Sequence, residues 1–86
     1  MSYRVLIPRP VQKQLDSLPS VALTKILQRL QELEENPRPI GCVKLKGYVQ
    51  EYRIRVGDYR VRYEINDEQQ IVVLLLVKHR KDVYRE

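Results

Sequence analysis

The stretch YRIRVGDYRVRYEI, residues 52 to 65, constrains the fold more than any other part of the chain. Tyr52, Ile54 and Val56 alternate with Arg53 and Arg55. After Gly57-Asp58 the alternation resumes, with Tyr59, Val61, Tyr63 and Ile65 set against Arg60, Arg62 and Glu64. Successive strand side chains point to opposite faces, so this period of two predicts a half-buried hairpin. Gly57-Asp58 predicts a two-residue turn with Gly first. That register sets Arg55 opposite Arg60, Arg53 opposite Arg62, and Tyr52 against Tyr63 on the buried face. Directly opposed like charges cost ~0.2–1 kcal/mol per pair. Replacing Arg62 with Thr is therefore expected to leave the protein as stable or more stable.

The rest of the chain supplies the cover for the apolar face. Residues 2 to 8, SYRVLIP, predict a strand with Tyr3, Val5 and Ile7 on one side. Pro10 suits the first turn of a short helix over residues 10 to 17, with Val11, Leu15 and Leu18 inward. Ser20 is a candidate N-cap for a longer helix carrying Leu23, Ile26, Leu27, Leu30 and Leu33 as an apolar stripe. Asn36-Pro37-Arg38-Pro39 stops it. Residues 41 to 50 read as a loop, and Asn66-Asp67-Glu68 as a second turn. Residues 71 to 78, IVVLLLVK, are apolar on both faces, the pattern of an interior strand covered from both sides. The predicted class is α+β: one domain over residues 1–86, a helical hairpin on one face of a small, mostly antiparallel sheet, in the order β-α-α-β-β-β with a short tail or helix.

At 86 residues, 43% of them hydrophobic, the chain supports one modest core. Its 16 Lys+Arg against 11 Asp+Glu give a net charge of +5, which points to a polyanion or an acidic protein as partner. Cys42 is the only cysteine, so no internal disulfide forms, and no zinc-ligand spacing is present. No segment reads as a signal peptide or membrane span, and the expected compartment is the cytoplasm.

The arginine face departs from an ordinary solvated sheet, which mixes signs. An RNA or DNA phosphate backbone would offset the repulsion, and the planar fork of arginine suits paired phosphate oxygens. By strand parity Lys78 and Arg80 point to one side and His79 to the other. If the chain turns helical after residue 80, Arg80 and Tyr84 lie together, and the tyrosine could stack on a nucleobase.

KLKG at 44–47, the hairpin at 52–65 and VKHRKDVYR at 77–85, behind a helical hairpin, resemble the RelE/ParE toxin superfamily, RelE-like branch. That resemblance implies a ribosome-dependent endoribonuclease. Such toxins cleave mRNA in the A site by metal-independent attack of a ribose 2′-hydroxyl, with no cofactor. It also implies a catalytic set of Arg53, Arg55, Arg60, Arg80 and Tyr84, with Lys44 and Lys46 on RNA phosphates. From their own chemistry rather than the resemblance, His79 is a possible base, since histidine is the side chain that titrates near neutrality unaided, and Arg62, Lys78 and Lys81 are further candidates for binding RNA. Where the family often has lysines on the first hairpin strand, this chain has Arg53 and Arg55, and arginine keeps its proton at any relevant pH. The implied partners are the ribosome, its A-site mRNA and a small antitoxin with an acidic or amphipathic helix. Operator DNA would be bound only through the antitoxin complex. A gyrase poison of the ParE kind, and an inactive homologue that still captures antitoxin, are the alternatives.

Overall fold

The computed structural model describes residues 2–47 and 50–83. The order is β1 (Arg4–Leu6), α1 (Arg9–Asp16), α2 (Ser20–Glu35), β2 (Val43–Lys44), β3 (Glu51–Val56), β4 (Tyr59–Asn66), β5 (Ile71–His79) and α3 (Arg80–Val83). The five strands form one sheet in the order β1-β5-β4-β3-β2. Only β1 runs parallel to its neighbour β5; the other pairs are antiparallel. The expected α+β architecture is therefore present. One short strand, β2, lies within what reads in sequence as loop. Two residues are too few to show an alternating pattern.

The core lies between the two long helices and one sheet face. Val11 and Leu15 of α1 and Ile26, Leu30 and Leu33 of α2 meet Tyr52, Ile54, Val56, Val61, Tyr63, Ile65, Val72, Leu74 and Val77. Tyr52 and Tyr63 pair across β3 and β4 with ring centroids 6.0 Å apart, and the Tyr63 hydroxyl donates to the Pro37 carbonyl at 2.8 Å. Burial pushes the Tyr63 phenol above its ordinary pKa of 10, with Cys42 adding to the shift.

Three local expectations are corrected. Ser20 is the first residue of α2, not its cap. Pro19, fixed in an extended conformation, precedes the helix, and its carbonyl accepts from Leu23 N–H at 3.0 Å. Leu27 does not join the buried stripe and is 43% exposed, because α2 buries a face narrow enough to be filled by Ile26, Leu30 and Leu33. β5 is interior in the sheet, but Ile71, Val73 and Leu76 are only half-buried. Helices cover one face alone, so neighbouring side chains provide the shelter on the other.

A clamp ties the α2–β2 and β4–β5 connections to β3 and to the residue before β1. Arg38, between α2 and β2, donates from Nη1 and Nη2 to both Asp67 carboxylate oxygens at 3.1 and 2.8 Å. Its Nε donates to the Tyr52 hydroxyl at 3.2 Å, and its guanidinium sits 5.2 Å from the Tyr52 ring centroid. The Tyr3 hydroxyl also donates to Asp67 Oδ1, at 2.7 Å. Hydrogen bonds from Arg38 and then Tyr3 hold the Asp67 carboxyl down at about 2.

Candidate functional site

The hairpin register puts cations in rows. Val56 pairs with Tyr59 around Gly57-Asp58, and Gly57 has φ +57 while Asp58 does not enter the left-handed region, as a type II′ turn requires. Arg55 consequently lies opposite Arg60, and Arg53 opposite Arg62. The apolar partners of these residues fill the core, so the arginines share the face that no helix covers.

A β-bulge extends the first row. Tyr63 pairs with Leu74 and Arg62 with Leu76, so Leu75 has no partner on β4. Strict alternation from Val72 and Leu74 would send Lys78 to the helix side. The extra residue reverses the parity, so Val77 enters the core and Lys78 comes opposite Arg60. Bulges commonly re-aim side chains in this way. The result is a cross-strand row, Arg55–Arg60–Lys78, on three adjacent strands. Beside the bulge, Gln14 Oε1 of α1 accepts from Val77 N–H at 2.8 Å and anchors the strand to the helix layer.

Arg80 begins α3 just past the end of β5, beside the hairpin turn. Its backbone N–H donates to the Asp58 carbonyl at 2.7 Å, and its Nε lies 3.7 Å from Asp58 Oδ1. The hairpin turn thus fixes where the tail departs, and the Arg80 side chain stays 58% exposed. The Arg60 side chain donates from Nη1 to the Tyr59 carbonyl at 3.1 Å, which holds its guanidinium toward the turn end of β4. Arg53 and Arg55 have no side-chain hydrogen bond or ion pair among the described residues, and Arg53 Nε is buried without a partner.

Arg62 differs from the other hairpin arginines. Its Nη2 pairs with Glu51 Oε1 at 3.4 Å, between side chains only 26% and 16% exposed. The expectation of costless Arg62 replacement treated this residue as surrounded by like charge. It overlooked Glu51, which lies just before the stretch that carries the pattern and reaches Arg62 diagonally.

The structure does not bring His79 to the arginines. His79 pairs in register with Tyr59, on the helix side, and meets its ring edge-on at 5.3 Å. Its Nδ1 accepts from Lys81 N–H at 3.2 Å, which leaves the proton of the neutral ring on Nε2. Lys44 pairs with Tyr52 and by parity also leaves the arginine face; Val43 takes the place opposite Arg53. Lys46 is exposed in the turn after β2, and Lys81 is exposed on α3. Tyr84 lies outside the described residues. Sequence reasoning missed Asp58, which positions Arg80, and the bulge. The bulge did leave a trace: Leu74 and Val77, three apart, can share a face only if the alternation slips once.

What this face can do follows from its charge. Fixed guanidinium and ammonium groups spanning three strands can hold a phosphodiester and stabilise the extra negative charge of a pentacoordinate phosphorus. None of the arginines can take a proton.

Residues 5–84 match the family model described as the ParE toxin of the type II toxin–antitoxin system parDE. The toxin RelG of Mycobacterium tuberculosis is 31% identical over 86 residues, covering 99% of each chain. Among solved structures, the RelE–RelB complex of Pyrococcus horikoshii superposes with a TM-score of 0.84 at 38% identity, covering 93% of this chain and 97% of that one. A double mutant of the Escherichia coli RelE toxin in the free state superposes at 0.81 with 28% identity, covering 100% and 94%. With the fold, the hairpin and these matches in agreement, the chain belongs to the RelE/ParE superfamily of type II toxins, on its RelE-like branch.

Proposed function

We propose that this toxin is a ribosome-dependent endoribonuclease that cuts mRNA in the A site. The observation that carries this reading is the Arg55–Arg60–Lys78 row on the open sheet face, with Arg80 held at the neighbouring hairpin turn by Asp58. In the proposed reaction the ribose 2′-oxygen bonds to the adjacent phosphorus as the bond from phosphorus to the 5′-oxygen breaks. The 2′-hydroxyl proton leaves to water or a ribosomal group, and the departing 5′-oxygen gains one. The products are a 2′,3′-cyclic phosphate and a 5′-hydroxyl. Arg60 and Arg80 carry the transition-state charge, Arg53 and Arg55 orient the phosphodiester, and Tyr84 stacks on a codon base. Lys78 adds charge to the row, and Arg62, Lys44, Lys46 and Lys81 contribute to the RNA-attracting field around it. The likeness to RelE–RelB complexes supports a cognate antitoxin as the partner that silences the toxin.

Primer extension on programmed ribosomes tests the reading. Cuts inside the A-site codon are expected with the wild type, lost in Arg80→Ala and Tyr84→Ala, and absent on naked mRNA. The ParE description of the matching family model favours a second reading, a gyrase poison. Intact mRNA together with trapped gyrase–DNA complexes would establish that one instead.

A further inference from the structure

Between α2 and the β2 edge lies a cleft of about 490 Å³, lined by Arg29, Ile40, Gly41, Val43, Arg53 and Arg55. Its charge is lopsided: Arg29, Arg53 and Arg55 all line it, and of these Arg29 is ion-paired with Glu32 of the same helix. That pair joins Arg29 Nε to Glu32 Oε2 at 2.9 Å, whereas Arg53 Nε is buried with no hydrogen-bond partner among the described residues. The cleft also carries exposed apolar surface. Ile40 is fully exposed and Val43 is 45% exposed, and both line it with no part in the core.

We infer that this cleft is a second RNA subsite, in which Arg29 joins Arg53 and Arg55 on a phosphate adjacent to the scissile one while Ile40 and Val43 support the attached nucleoside. The inference rests on the proposed RNA-cleaving function and extends it. Arg53 and Arg55 belong both to the hairpin face and to the cleft, so a strand crossing the face passes over the sheet edge into the cleft without leaving the positive surface. That continuity favours RNA over an acidic peptide. It also gives a role to a helix residue that the hairpin pattern does not contain.

Binding of a fluorescent single-stranded RNA decamer at several salt concentrations, read by anisotropy, separates the contributions. Each phosphate contact to a single strand contributes roughly 0.7 to the slope of log K against log salt. Arg29→Gln is expected to weaken binding about three- to tenfold and to lower that slope by roughly 0.7. Arg29→Lys should restore the slope but only part of the affinity, since lysine lacks the fork. Ile40→Thr should weaken binding with the slope unchanged. Lys13→Gln, which removes the same charge from α1, controls for net charge. Arg29→Gln behaving like Lys13→Gln would overturn the inference while leaving the nuclease reading intact. Unchanged RNA binding with weakened antitoxin capture would also overturn it, and would assign the cleft to an acidic peptide. A specific Arg29 effect from a protein that leaves ribosomal mRNA uncut would support the subsite and refute the nuclease. No RNA binding by the wild type at low salt would overturn the subsite.

Discussion

The arginines that face one another across the hairpin are not equivalent residues. Arg55 is exposed opposite Arg60, while Arg62 is half-buried beside Glu51. Arg55→Thr should therefore leave stability unchanged or raise it by ~0.2–1 kcal/mol, since one like-charge pair disappears. Arg62→Thr removes the same kind of repulsion but strands Glu51, which already lies opposite Glu64, so a net loss of ~0.5–1 kcal/mol is expected. Urea denaturation of the two variants checks the contrast, and equal effects would contradict it. Asp67 supplies an acid-side test. Its carboxyl sits near 2 in the folded state against 3.8 as the ordinary value, so the fold binds that proton less readily than the unfolded chain. The associated stability is present above about pH 4 and lost as pH falls toward 2. Asp67→Asn should flatten that part of the acid-unfolding curve, and a variant curve parallel to the wild type would speak against the clamp.

At the scale of elements, the bulge in β5 decides what faces what. Removing Leu75 deletes the one residue without a partner on β4 and restores strict alternation, with Val72, Leu74 and Val77 still inward and Lys78 still outward. The shortened protein should fold with its strand and helix content kept, and should lose less stability than Leu74→Ala, for which about 2–5 kcal/mol is expected. Circular dichroism and thermal melts compare them; collapse on losing Leu75 alone would refute the register. The hairpin itself was legible in the sequence because twelve alternating positions and a Gly-first turn leave a single pairing. The helix pair was legible from Val11, Leu15, Ile26, Leu30 and Leu33. The two-residue β2 was not, since nothing periodic marks it. Nor was the exposure of Leu27, because a stripe of apolar residues does not state how wide a face the sheet can cover. The position of Arg29 beside Arg53 depends on how α2 lies against the sheet edge, a packing fact absent from either segment alone.

For the whole molecule, the division of faces is the organising feature. Helices take the Tyr/Ile/Val side of the sheet, which leaves a basic side open on a chain of net charge +5. Among the described residues, no helix is long and apolar enough to cross a membrane. His79 sits on the helix side, so the electrostatic account of the open face does not depend on it. His79→Ala should leave the shape of the pH profile for mRNA cutting unchanged, and loss of an ionisation near neutrality would restore it as the base. The central claim is that fixed positive charge on the open face stabilises the transition state. The most direct measurement is the single-turnover rate of A-site cutting on programmed ribosomes at saturating toxin, for the wild type and Arg60→Ala. A fall of roughly 10²–10³-fold with little change in ribosome binding is the expected result. A cutting rate within about twofold of wild type would contradict the account.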